Sequence, residues 1–243
     1  MHKITFPSRI VDGDKSEKSV LQPSSGEIHY LWCYMQGSIM NLDVRLWLHD
    51  AWGFCERHAW LALMVETSFR RTFLMGPAML YEDILGLAVK QMNLWGPMKH
   101  SRRLTGLREK RTCLICDMGW EHVHSSIPEE RLNRGNDASH LKRFALKTKA
   151  FWDKMVCGIC NGTQDGPRCR IHLLEDASSG QSIDFERQRD MISYLHKHIS
   201  IYSEGFRWER RGTSTIEDAA ALIAAVGWCS GWKPLLALMA LER

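Results

Sequence analysis

Residues 156–172 read VCGICNGTQDGPRCRIH. Cys157, Cys160, Cys169 and His172 fall within this stretch in the pattern C-x2-C-x8-C-x2-H. Cys thiolates and a His imidazole are the ligands that zinc prefers, and paired C-x2-C and C-x2-H spacings suit a closed tetrahedral site. Gly158, Gly162, Gly166 and Pro167 supply the turns that let two short arms face one ion. The spacing therefore predicts a zinc site in a connection between elements.

Working outward, the flanks read as helices. Leu141–Met155 is amphipathic and leads into the motif. After the DASSGQS link, residues 183–202 form a helical pattern with Ile183, Met191, Leu195 and Ile199 inward. Ser214-x-x-Glu217 is a capping-box pattern ahead of DAAALIAAV, which Gly227 would terminate. The apolar tail, WCSGWKPLLALMALER, is expected to pack back on the body.

Upstream, Ser24-x-x-Glu27 is a first capping box, which predicts a helix beginning near Ser25. Leu31, Met35, Ile39, Leu42 and Leu46 recur at helical spacing from Ile28 to Trp52, where Gly53 would end the helix. A further helix is expected from about Cys55, and Pro77 suits the first turn of the next, AMLYEDILGLAVKQM. Residues 97–112 are basic and read as a charged linker, Cys113–Cys116 opens a helical stretch through His124, and the polar residues 127–140 read as a loop. Strand-type alternation is nearly absent. The fold class expected is all-α: a helical bundle with one or two Cys/His zinc sites in its helix-connecting loops. Residues 1–24 form an irregular arm, and residues 25–243 a single helical domain. Within it, pseudo-repeat halves lie at about 25–96 and 113–180, with C-terminal helices at 183–243.

The composition agrees with this. At 243 residues and 44% hydrophobic, the chain is long enough to bury a substantial core. Ten Trp are present, and Trp32, Trp47, Trp52 and Trp60 crowd the first quarter, which points to an aromatic core there. A net charge of +4 permits an acidic partner or nucleic acid without arguing for either. Met1–Leu21 has no apolar core of the signal-peptide kind, and no apolar run approaches the ~18 residues of a membrane span. A cytoplasmic protein with no membrane association is the expectation, and there eight Cys are metal ligands more often than disulfides.

A second constellation lies upstream. Cys55 and His58 are i and i+3, on one face of the expected helix. Cys33 could be brought alongside by an antiparallel helix pair. In both halves the order is a Cys near a helix, then a loop, then C-x2-H, a weak internal duplication.

These motifs resemble an uncharacterised bacterial family, a domain of unknown function, with CPxC, GFCxxHAW and G-x-A-x-x-YEDL segments. In this chain they stand as Cys33-Tyr-Met-Gln36, Gly53-Phe-Cys-Glu-Arg-His-Ala-Trp60 and Gly76-Pro-Ala-Met-Leu-Tyr-Glu-Asp-Ile84. The second C-x2-C is Cys113–Cys116 and the second C-x2-H is Cys169–His172. The resemblance spans roughly residues 30–172 and implies a helical protein with paired Cys/His metal sites and no known reaction. The chain departs from it twice. Gln36 stands where a Cys would be, which leaves Cys33, Cys55 and His58 as three ligands, and Cys157-x2-Cys160 is additional. The resemblance favours Cys113, Cys116, Cys169 and His172 for the second site. Local spacing favours Cys157, Cys160, Cys169 and His172, because short loops close at less entropic cost.

Three functions follow as expectations. The leading one is a zinc-binding interaction or regulatory module with structural metal and a protein partner. The second is a metal-dependent enzyme with an open site at Cys33, Cys55 and His58, where Glu56, Glu66, Glu82 or Asp83 would serve as base. Closure of that site by Gln36, His29, His49 or Cys229 would remove the chemistry. The third is nucleic-acid binding through Arg102, Arg103, Arg108, Lys110 and Arg111. No phosphate loop, dinucleotide fingerprint, nucleophile elbow or HExxH occurs.

Overall fold

A computed structural model describes residues 21–70 and 73–240. Among the described residues every regular element is helical and there is no strand. The expected arm lies, up to residue 20, outside them.

Two helices form the centre. One is α3, Glu56–Arg70, in which every residue from His58 to Ser68 is buried. The other is α11, Ile216–Ser230, buried without a break from Ala220 to Ser230. A helix apolar on all sides must be surrounded, and AAALIAAVGWC states that in sequence. Around the two pack α1 (Ser25–Gln36), α4 (Met75–Met92), α7 (Glu129–Gly135), α8 (Ser139–Trp152), α9 (Arg170–Ser178), α10 (Phe185–Glu204) and α12 (Lys233–Ala240). The remaining helices, α2 (Leu42–Asp50), α5 (Lys99–Gly106) and α6 (Leu114–Asp117), are short. Buried apolar side chains from α1 to α12 join one continuous core.

Trp side chains knit that core. The Trp60 indole N–H donates to the Gly231 carbonyl at 2.8 Å. Trp232 lies tilted between Trp60 and Trp152, with ring centroids 6.4 and 5.9 Å away. Trp232 reaches them by lying against Gly227, where an added Cβ would come within 2.3 Å of its ring. Gly227 is therefore interior to α11 and does not end it. Gly231, at φ 109°, ends it.

Several expected boundaries shift. The first capping box forms, with Ser24 Oγ accepting from Glu27 N and the Glu27 carboxylate from Ser24 N. The helix expected from Ile28 to Trp52 is two. Gly37 ends α1, and Asn41 caps α2 by accepting from the Asp43 and Val44 amides. Both residues interrupt a helix by propensity, and the apolar periodicity runs across the break. The second box is Thr215 with Asp218, one residue beyond Ser214 and Glu217. The basic linker contains α5 and the polar loop contains α7. Each is too short for a hydrophobic stripe to develop. The stretch from Cys113 to His124 is only α6 and a 3-10 turn at Trp120–His122.

Candidate metal centres

Among the described residues, eight Cys and His side chains gather into two clusters. The first joins Cys55, His58, Cys113 and Cys116, and the second Cys157, Cys160, Cys169 and His172. In each, the ligand atoms all lie within 4.8 Å of one another. All eight cysteines of the chain are unbonded thiols.

The two C-x2-H motifs have the same local construction. Cys55 directly precedes α3 and Cys169 is the N-cap of α9, with His58 and His172 three residues on in the first turns. One turn of helix places i and i+3 side by side. Cys113 is likewise the N-cap of α6, with Cys116 in its single turn.

The Cys157–Cys160 arm folds back on the C-x2-H arm through the backbone. Gly158 N donates to Pro167 O at 3.0 Å, and Gly162 (φ 77°) and Gly166 (φ 109°) turn the chain between them. A Cβ on Gly158 would stand 1.9 Å from the Asp165 carbonyl, so only glycine lets the arms close this tightly. Arg170, between the two ligands of α9, is buried and anchors that helix. It donates to the Cys229 and Leu107 carbonyls at 2.9 and 3.0 Å, pairs with Glu109 and lies over the Trp52 ring.

The distances test whether a metal fits. With bonds of ~2.3 Å to sulfur and ~2.0 Å to nitrogen, a tetrahedral zinc site has S···S edges of about 3.8 Å and S···N edges of about 3.5 Å. In the first cluster His58 Nδ1 lies 3.2, 3.5 and 3.2 Å from the sulfurs of Cys55, Cys113 and Cys116, and Cys55 Sγ lies 3.8 Å from Cys116 Sγ. In the second His172 Nδ1 lies 3.3, 3.4 and 3.2 Å from Cys157, Cys160 and Cys169, and Cys160 Sγ lies 3.9 Å from Cys169 Sγ. Both sets fit a four-coordinate ion.

The charges point the same way. Hydrogen bonds from Cys160 and Cys169 pull the Cys157 thiol far below its ordinary range, and the Cys157 thiolate pushes Cys160 up to about 11 and Cys169 higher. Three sulfurs this close resist being ionised together unless a cation joins them. In the first cluster the hydrogen bond with Cys113, and then burial, push Cys55 up to about 12. Burial opposes a charge on His58, yet its bonds to Cys113, Cys55 and Glu27 raise it to about 11. The same surroundings that favour positive charge on His58 suit a divalent cation among the sulfurs.

The first site has a supporting carboxylate, which the sequence reading missed. Glu27 of α1 is fully buried, and its Oε1 lies 2.8 Å from His58 Nε2. Arg57 pairs with the same carboxylate, with Nη2 3.0 Å from Oε2. Burial would raise this carboxyl, but bonds from His58, Arg57 and the Ser24 amide hold it at about 2. A carboxylate on the far nitrogen of a ligating His fixes the ring and its tautomer. The second site has only a weak counterpart, Glu175, exposed and 3.6 Å from His172 Nε2.

Cys33 is not part of either cluster. It is exposed on α1, with its sulfur 3.7 Å from His29 Nε2. Glu27 faces His58, and Cys33 follows six residues later, about 120° round the helix. The expected three-ligand open site at Cys33, Cys55 and His58 is thus replaced by a four-ligand set, completed by Cys113 and Cys116. Cys113 and Cys116 do not join Cys169 and His172, as the resemblance implied. None of Gln36, His29, His49 and Cys229 closes the first set. Motif arithmetic held the signal: two C-x2-C pairs and two C-x2-H pairs make two sets of four, leaving Cys33 and Cys229 over.

The basic segment is partly committed elsewhere. Arg103 donates to the Leu94 carbonyl, and Lys110 and Arg111 pair with Asp50, Arg111 also lying over Trp47. Among the described residues no helix is long and apolar enough to cross a membrane.

No protein-family model, no curated protein and no solved structure matches this chain.

Proposed function

We propose that this protein is a zinc-binding helical module with two structural Cys3His sites, acting through a protein partner and without chemistry of its own at the metals. One observation carries the reading: each cluster supplies four sulfur or nitrogen atoms at tetrahedral spacing. Catalytic zinc keeps a position open for water or substrate, whereas a fourfold set of protein ligands closes the ion. Three thiolates and an imidazole at this spacing favour zinc over harder divalent ions. The paired-site plan of the uncharacterised bacterial family described above supports the same reading. Eight unbonded thiols support a reducing compartment, the cytoplasm.

The first site ties together segments distant in sequence, and the second closes a short local loop. The first joins the start of α3 to α6, and the second joins the end of α8 to α9. Small helices such as α6, only four residues long, hold no structure unaided, so the metal supplies folding free energy there. A protein partner is supported by Met40, Leu42 and Leu46, exposed at 63%, 69% and 53% on the segment leading into the first site.

Metal content of the protein purified under reducing conditions tests the proposal, measured by mass spectrometry on wild type, Cys55→Ser and Cys169→Ser. The expected result is two zinc ions in wild type and one in each variant. Absence of zinc, or two zinc ions retained in both variants, overturns it. Hydrolytic activity lost in a folded Cys55→Ser protein would move the assignment to an enzyme.

A further inference from the structure

Away from both metal clusters, α8, the end of α10 and the start of α11 enclose a cleft of about 730 Å³. This is within the range of small-molecule sites. Its floor is apolar: Phe144, Tyr202 and Ala219, with Ile216 at the edge. One wall is cationic. His140, Arg143 and Lys147 follow at i, i+3 and i+7 along α8, so they share a face. The opposite lip carries the Ser214 hydroxyl.

Two features of the wall point to a ligand. First, among the described residues no carboxylate forms an ion pair with Arg143 or Lys147. The acids nearest the cleft are engaged elsewhere. Asp218 accepts from the Thr215 amide and hydroxyl at 2.8 and 2.7 Å and lies 2.6 Å from His198 Nδ1, while Glu217 takes the Tyr194 hydroxyl. Asp137 lies against His140, at 3.7 Å, and feels the charge of Arg143 without pairing with it. Second, the guanidinium is oriented: Arg143 Nη2 lies 3.0 Å from His140 Nδ1. A planar fork held by a neighbour meets an oxyanion with less entropy to lose. The N-terminus of α11 adds nothing to this, because its own capping box occupies it.

We infer that this cleft binds a small amphipathic oxyanion: a carboxylate or phosphate head against Arg143 and Lys147, with an apolar body on Phe144, Tyr202 and Ile216. Two cations outside any ion pair, beside a mainly apolar floor, are complementary to that chemistry and to neither a neutral lipid nor a metal ion. The inference does not depend on the zinc reading.

The test is displacement of anilinonaphthalene sulfonate fluorescence from the full chain by decanoate, decyl phosphate and decanol. Decanoate or decyl phosphate is expected to displace the dye, with decanol weaker by about tenfold. Arg143→Glu with Lys147→Glu should weaken both anions by about tenfold and leave decanol unchanged. Ile216→Ser, at an exposed first-turn position, should weaken all three. Whichever anion binds tighter identifies the head group. Equal displacement by decanol, anion binding indifferent to the charge reversal, or no displacement by either anion would overturn the inference.

Discussion

Glu27 Oε1 lies 2.8 Å from His58 Nε2, across 31 residues of sequence, while the other nitrogen of the same ring faces three sulfurs. The carboxylate that closes the capping box of α1 is also the one that meets the imidazole of the first Cys/His cluster. The cap of the first helix and the first site thereby share one carboxylate.

Glu27→Gln is accordingly expected to weaken zinc at the first site by about tenfold, with all four ligands intact. Competition with a chromophoric chelator measures this. Glu175→Gln, at the exposed carboxylate beside His172, should leave the second site's affinity within error. Equal effects of the two substitutions would show that burial of the carboxylate is irrelevant.

Cys33 and Cys116 are both exposed, but only Cys116 faces a cluster. Cys116→Ser should release one zinc per chain, and Cys33→Ser none. Inductively coupled plasma analysis of the two folded proteins decides it, and loss of zinc in Cys33→Ser would restore the open-site arrangement.

Two glycines are held by close approach. Gly227→Ala pushes a methyl into the Trp232 ring at 2.3 Å and is expected to destabilise the fold by about 1–3 kcal/mol. Gly158→Ala meets the Asp165 carbonyl at 1.9 Å and should cost zinc affinity at the second site alone. Gly37→Ala, with nothing within 4 Å and no left-handed backbone, should be close to neutral. Urea denaturation together with zinc titration separates the three.

Glu66 is buried in α3, and burial pushes its carboxyl from 4.5 up to about 7. Between those values the folded protein binds a proton that the unfolded chain has released. Stability at this residue therefore falls as pH rises through the window, and the full loss of about 3 kcal/mol is reached above it. Glu66→Gln removes the titration. The variant should match wild type near pH 4 and exceed it near pH 8, as read from denaturation midpoints. A difference independent of pH would place the carboxyl in contact with solvent.

Local order was legible in the residues. The Ser24–Glu27 box, the buried pattern of α11 and the two C-x2-H turns depend on neighbours within four positions, where helical geometry alone sets the outcome. The second metal site belongs in the same class, since all its ligands lie within residues 157–172 and short loops bring them together. What spacing could not decide was the break at Gly37, the register of the second capping box, and the partner of Cys55 and His58. Cys113 and Cys116 reach them only because α1, α3 and α6 converge, with His58 and Cys113 lying 55 positions apart. Cys33, nearer in sequence, is carried to the wrong side of its helix. The periodic code thus determined an all-helical chain with Cys/His motifs able to hold metal. Only tertiary packing decided which ligands share an ion, because ligation depends on where side chains point in space, and helix rotation, not sequence distance, sets that direction.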